Sequence, residues 1–179
     1  MIRFYSIKKS DKKIESKIFK SIKKVIQKNN FILGNEVSNF ENLFSKLCNS
    51  KYSIGCSNGT DAITIALLSL NLPKNSEVIL PAMTYASTFY AIVNANLKPV
   101  LVDINNDDPL INLNQIVRKI NNKTKAIIPV HLYGSVVNLF KLNRILRKKK
   151  IYIIDDCSQA HGAMYDNGKR VGGHGISNI

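Results

Sequence analysis

Two apolar runs, Lys125-Ala126-Ile127-Ile128-Pro129-Val130 and Ile151-Tyr152-Ile153-Ile154, flank a stretch from Leu139 to Lys149 whose apolar residues recur at helical spacing. A short apolar run without polar alternation reads as a strand covered on both faces, and two such strands joined by a helix pair in parallel. The pattern repeats toward the N-terminus. Glu77-Val78-Ile79-Leu80 and Pro99-Val100-Leu101-Val102 read as strands, and Ser87 to Asn94 and Leu113 to Ile120 as the helices after them. Asp61 to Leu70 is a helix apolar almost all round, which predicts burial, and Glu36 to Leu47 and residues 11–28 complete the helices. Strands alternating with helices predict an α/β fold, a three-layer, mainly parallel sheet with helices on both faces.

The rest of the chain is compatible with that core. It has 179 residues, 45% of them hydrophobic and 21% charged, ordinary for a globular protein. No run approaches the ~18 apolar residues of a membrane span. The opening residues Met1 to Lys13 hold no apolar stretch of the kind a secretion signal needs, so a cytoplasmic protein is expected. Cys48, Cys56 and Cys157 form no CxxC pair, and reduced thiols are the expectation. Asn58-Gly59-Thr60 and Asn122-Lys123-Thr124 then carry no glycan.

The net charge of +14 raises the question of nucleic acid. Ten basic residues fall in the first 28 positions, interleaved with Ile14, Ile18, Ile22, Val25 and Ile26. That spacing makes a basic amphipathic helix with a solvated lysine face. Lysine far outnumbers arginine, the better reader of phosphates and bases. No nucleic-acid partner and no membrane association is expected. The predicted division is residues 1–28, the basic helix, and residues 29–179, the sheet domain.

Ligands of open α/β sheets sit beyond the carboxyl ends of the strands. Polar residues able to do chemistry gather at all four such ends: Thr84-Tyr85, Asp103, His131-Leu132-Tyr133-Gly134, and Asp155-Asp156-Cys157-Ser158-Gln159-Ala160-His161-Gly162. The turn Cys56-Ser57-Asn58-Gly59-Thr60-Asp61-Ala62 opens the apolar helix. Taken alone, it reads first as a helix cap by Ser57, Asn58 or Thr60, and second as a phosphate cradle at a helix N-terminus. Tyr85 alone is either core packing or a surface for stacking a flat heterocycle. Two adjacent carboxylates after an apolar strand are costly unless used or paired. One of them facing a ring nitrogen would keep it protonated, a pairing worth roughly 4 kcal/mol at about 4 Å and an effective dielectric of about 20. The alternative is a cap by either aspartate with His161 a satisfied core histidine. A metal held by Asp155, Asp156, His131 and His161 is conceivable, but no HxxxH or HxH spacing supports it, and none is expected. Gly168, Gly172, Gly173 and Gly175, with Lys169, Arg170 and His174, mark a loop of special dihedrals.

Together these segments resemble the sugar aminotransferases of the DegT/DnrJ/StrS group. The matching stretches are Phe31-Ile32-Leu33-Gly34-Asn35-Glu36-Val37, Ser57-Asn58-Gly59-Thr60-Asp61-Ala62, Val78-Ile79-Leu80-Pro81-Ala82-Met83-Thr84-Tyr85, Pro129-Val130-His131-Leu132-Tyr133-Gly134 and Ile154-Asp155-Asp156-Cys157-Ser158-Gln159-Ala160-His161-Gly162-Ala163. The resemblance implies the large domain of the fold-type I pyridoxal-phosphate transferases, here incomplete. It implies pyridoxal 5'-phosphate as cofactor, with Asn58, Gly59 and Thr60 in the turn at its phosphate and Tyr85 stacked on its ring. Asp156 would pair with the pyridine nitrogen and Gln159 lie near the 3′-oxygen. His161 would act beside Asp156 as a catalytic residue, with His131 near the site. It further implies amino transfer, with glutamate as donor, to a nucleotide-linked keto-sugar, and a homodimer. In that family a Ser-Phe-x-x-x-Lys segment follows the position of Ile179. Lys169 does not match its lysine, so these 179 residues are expected to stop short of the residue that carries the cofactor and to show no turnover. A sugar dehydratase of the same family, with histidine in place of that lysine, and a non-catalytic remnant are the alternatives.

Overall fold

The structure, a computed structural model, describes residues 11–173 and residue 177. His174 and Gly175, read above as part of the glycine-rich loop, lie outside the described residues, as do residues 1–10. The elements are α1 (Lys12–Lys28), α2 (Asn35–Cys48), α3 (Gly59–Ser69), β1 (Glu77–Pro81), α4 (Ala86–Asn94), β2 (Lys98–Val102), α5 (Leu113–Lys119), β3 (Thr124–Ile127), α6 (Leu139–Leu146) and β4 (Tyr152–Ile153), with a 3-10 turn at Leu132–Gly134. Two compact units divide inside α2, between Phe40 and Glu41.

In the first unit α1 starts on Asp11, whose side chain accepts from the Lys13 N–H, and ends on Asn29 in the left-handed conformation, φ 49°. Ile14, Ile18, Ile22 and Ile26 line one face of it, all exposed, with the lysines on the other.

The second unit contains the sheet. Its four strands run parallel in the order β2-β1-β3-β4. The pleat sends successive residues to opposite faces, and the core divides accordingly. Val78, Leu80, Ala126, Ile128 and Ile154 pack with Ile63 and Leu67 of α3 and Ala91 and Ile92 of α4. Ile79, Ile127 and Ile153 pack with Ile116 of α5 and Leu139, Leu142 and Leu146 of α6. Helices therefore cover both faces, as the apolar runs predict.

The differences from the sequence reading have local causes. The β3 run extends to Val130 in the sequence, but Pro129 has no N–H to donate and the regular ladder ends at Ile127. Pairing resumes beyond it as an isolated parallel bridge, Val130 with Asp156. The sixth helix stops at Leu146 rather than Lys149, because the apolar periodicity ends there and four exposed cations follow. The expected burial of the third helix is corrected: only Ile63 and Leu67 are buried, while Ile65 and Leu68 are about half exposed, at 55% and 52%. One face of α3 rests on the sheet, and none of the described residues covers the other.

The glycine-rich loop is fixed by close approach to α2. A Cβ on Gly173 would lie 2.6 Å from the Cys48 carbonyl oxygen and 2.9 Å from that of Arg170. The Arg170 guanidinium donates to the Leu47 carbonyl at 3.0 Å, using an acceptor the helix end leaves free. Gly173→Ala is expected to lower stability by about 1–3 kcal/mol in urea unfolding, since two backbone segments would have to separate.

Candidate functional site

The alternation along β4 decides how the site is built. Ile153 faces α5 and α6, Ile154 faces α3 and α4, and the next two residues continue the pattern. Asp155 turns to the first face and Asp156 to the second, so the adjacent carboxylates belong to different environments.

Asp155 is paired within the protein. His131 Nε2 lies 2.7 Å from its Oδ1, with both side chains almost fully buried. The Val137 N–H donates to His131 Nδ1 at 2.9 Å. A nitrogen that accepts cannot carry the hydrogen, so it sits on Nε2 and is donated to Asp155. Tyr165 places its hydroxyl 3.5 Å from Asp155 Oδ2. Burial, then the Asp155 charge, push both the Tyr165 phenol and the Cys157 thiol well above their ordinary ranges. His131, Asp155 and Cys157 bring ligand-type atoms within 4.8 Å of one another. Yet this histidine holds a hydrogen where a metal would bind and the thiol is held protonated, so the cluster is an internal hydrogen-bonded pair rather than a cation site. The foursome considered from sequence is not assembled, because Asp156 faces away from Asp155.

Asp156 is 7% exposed and opens onto a cavity of about 330 Å³. Its Oδ1 accepts from the Ser158 hydroxyl at 2.6 Å and the Ser158 N–H at 3.2 Å, and its Oδ2 from the Thr88 hydroxyl at 3.2 Å. A carboxylate has about four acceptor positions; three donors occupy it and one on Oδ2 is left over. Asn58, Gly59, Thr60, Tyr85 and Gln159 line the same cavity.

Each arrives there for a local reason. Asn58 is the N-cap of α3, its side-chain oxygen accepting from the Asp61 N–H at 2.9 Å, while Asp61 holds the Ser57 hydroxyl and, at 2.9 Å, the Asn58 amide. The cap and the cradle are thus one turn: Asn58 caps, and the first helical N–H groups, those of Gly59 and Thr60, have no acceptor within the helix. A Cβ on Gly59 would meet nothing within 4 Å, so the protein's own packing does not require glycine there. Tyr85 is the N-cap residue of α4, 75% exposed. Gln159 accepts the Tyr133 N–H on Oε1 at 3.0 Å, which leaves its amide hydrogens free to donate. Tyr133 itself has φ 53°, a strained value for a bulky side chain at the cavity's edge.

His161 stands apart from these six. It is exposed, its ring edge-on to Phe44 at 5.8 Å, and it lines a larger cavity of about 520 Å³ with Cys48, Tyr52, Asp155 and Cys157. That cavity is mostly apolar. The smaller one holds the convergent polar groups, which is the better mark of a binding site. The strand-end stretches read from sequence include Thr84 and Ser158 without giving either a role, and sequence reading missed Thr88. Thr84 and Thr88 stand four residues apart across the start of α4, a spacing that puts them on one face.

The chain matches a family model described as the DegT/DnrJ/EryC1/StrS aminotransferase family over residues 12–179. It is 41% identical over 179 residues to the dTDP-3-amino-3,6-dideoxy-alpha-D-galactopyranose transaminase of Aneurinibacillus thermoaerophilus, a match covering 98% of this chain and 48% of that protein. Among solved structures it superposes on S. venezuelae DesV in complex with a ketimine intermediate with a TM-score of 0.87 and 30% identity, covering 90% of this chain and 43% of DesV. It also superposes on the E. coli GDP-4-keto-6-deoxy-D-mannose-3-dehydratase with bound hydrated PLP, with a TM-score of 0.78 and 28% identity, covering 83% of this chain and 40% of that one. The chain spans about half the length, or slightly less, of these relatives. With its parallel sheet and its match across residues 12–179, the chain belongs to the DegT/DnrJ/EryC1/StrS aminotransferase family.

Proposed function

We propose that the chain is the cofactor-binding portion of a pyridoxal-phosphate-dependent aminotransferase that moves an amino group, with glutamate as donor, onto a nucleotide-linked keto-deoxy-sugar. The observation that carries this reading is that Asp156 and the opening turn of α3 face one cavity of about 330 Å³. The α3 turn offers N–H groups and a positive dipole end to a phosphate. The left-over acceptor on Asp156 suits a protonated ring nitrogen, Tyr85 suits the ring face and Gln159 a ring oxygen. The cofactor supplies an electron sink when its ring is protonated; the protein's part is to bind, orient and hold that proton. We place the whole protein in the cytoplasm as a homodimer serving surface polysaccharide or glycoconjugate synthesis, with residues 29–179 as part of its large domain. None of the described helices is long and apolar enough to cross a membrane.

The test is binding. The 179-residue chain is titrated with pyridoxal 5'-phosphate, followed by its absorbance and by dialysis, with inorganic phosphate as competitor. Saturable binding that phosphate weakens is expected, and its absence refutes the reading. Gly59→Ala is expected to separate binding from stability. The methyl enters open space, so stability holds or rises by up to about 1 kcal/mol, while the cradle is filled and affinity falls at least tenfold.

A second reading is favoured by the structural match to the E. coli dehydratase: the same cofactor site serving removal of a sugar hydroxyl. Incubating the full-length protein with ¹⁵N-glutamate and a nucleotide keto-sugar distinguishes them, because amino transfer leaves the label on the sugar and dehydration does not.

A further inference from the structure

The carboxylate at the centre of the site is held from one side by a residue that no sequence motif assigned. Thr88 is 1% exposed, in the first turn of α4, and its Oγ1 donates to Asp156 Oδ2 at 3.2 Å. Its hydroxyl has a single hydrogen, and Asp156, an acceptor, takes it. The hydroxyl of Thr84, 2.9 Å away, must then be the donor to Thr88. The chain of donors runs Thr84 to Thr88 to Asp156, every hydrogen directed toward the carboxylate, and the Ser158 hydroxyl and N–H close on the other oxygen.

The two grips differ. Ser158 is two residues from Asp156 and moves with it. Thr88 lies 68 residues away on a helix packed against the sheet, so it references the carboxylate to the body of the domain. Its N–H donates to the Tyr85 carbonyl at 3.1 Å. One helical turn thus carries both the aromatic at the cavity wall and the hydroxyl that aims the carboxylate. Oδ2, the oxygen Thr88 holds, is the one with the unused acceptor position.

We infer that Thr88 is a positioning residue, which fixes Asp156 Oδ2 so that its free acceptor position meets a protonated ring nitrogen in the cavity. This rests on the cofactor reading above. The inference concerns one hydrogen bond, from carboxylate to ring nitrogen, and so predicts a ligand-selective loss. A role in general packing would weaken every ligand alike.

The experiment compares pyridoxal 5'-phosphate with its 1-deaza analogue, in which carbon replaces the ring nitrogen, on the wild-type chain, Thr88→Val and Thr88→Ser, by equilibrium dialysis. Valine matches threonine in shape and removes only the hydroxyl. The expected result is that Thr88→Val binds pyridoxal 5'-phosphate about tenfold more weakly than wild type, the usual weight of a hydrogen bond to a charged group. Its affinity for the deaza analogue is expected within about twofold of wild type, and Thr88→Ser is expected to restore the natural ligand. Equal losses for both ligands, or none for either, overturn the inference while the cofactor reading stands. Failure of the wild-type chain to bind pyridoxal 5'-phosphate overturns that reading and this inference with it. Should Thr88→Val fold poorly, Thr88→Ala makes the same ligand comparison.

Discussion

Asp156→Asn is expected to lower the affinity of the chain for pyridoxal 5'-phosphate by about two orders of magnitude and to leave the fold in place. The substitution keeps the shape of the side chain and an oxygen that can accept from Ser158, so the protein's own hydrogen bonds are largely retained. What disappears is the negative charge opposite the ring nitrogen. A unit charge pair at about 4 Å is worth about 4 kcal/mol at an effective dielectric of about 20. The amide nitrogen then stands where Oδ2 did and can donate to an unprotonated ring nitrogen, which recovers part of that, and each 1.4 kcal/mol is tenfold in affinity. Dialysis with pyridoxal 5'-phosphate measures the loss, and urea unfolding checks the fold. The control is the neighbouring carboxylate. Asp155→Asn changes charge and sequence context almost identically, but Asp155 faces the other side of the sheet against His131 and Tyr165. It is expected to cost stability and to leave cofactor affinity within about threefold. Wild-type affinity in Asp156→Asn, or an equal loss in both variants, would remove Asp156 from the role given to it.

That contrast shows how much of the site could be read before the fold was known. The period-2 pleat and the apolar pair Ile153-Ile154 already imply that Asp155 and Asp156 point oppositely. The rule for strand ends already places Tyr85, Asp156 and Gln159 near one another. Both inferences reach at most six residues beyond the end of a strand, where sequence spacing still constrains geometry. Thr88 is different. Its contact with Asp156 depends on how α4 lies across the sheet, and a threonine in a helix carries no signal of that. The burial of α3 failed for a related reason. A helix apolar all round says that its faces avoid water, not what meets them, and Ile65 and Leu68 find nothing among the described residues. The family resemblance groups His161 with Asp156, but the turns Cys157–Ala160 and Ala160–Ala163, with Gly162 at φ 84°, carry His161 to Phe44 of α2. Spacing transfers along a strand or a helix and is lost at such a turn.

His131→Leu is expected to be the most destabilising of these substitutions, at about 3–5 kcal/mol, without touching the cavity that holds Asp156. The ring is fully buried and joined at both nitrogens, to the Val137 N–H and to Asp155. Leucine fills much of the volume, so the loss is not chiefly a cavity. It comes from a carboxylate left in a site where its side chain is 2% exposed, beside the Cys157 thiol and the longer Tyr165 contact, and from an orphaned backbone N–H. Removing one partner of a buried pair costs far more than the pair contributes, because the survivor is desolvated without compensation. The double variant His131→Leu/Asp155→Leu tests that argument directly. With the carboxylate gone, the Val137 N–H and the Tyr165 hydroxyl lose partners but no buried charge is left, and the double variant is expected to be more stable than His131→Leu alone even though it carries one more substitution. Urea midpoints for wild type, both single variants and the double variant give the coupling. If His131→Leu costs under about 1 kcal/mol, or if adding Asp155→Leu lowers stability further by its full single-variant amount, the two side chains are independent. The pairing would then not account for how the sheet tolerates a carboxylate on its α6 face.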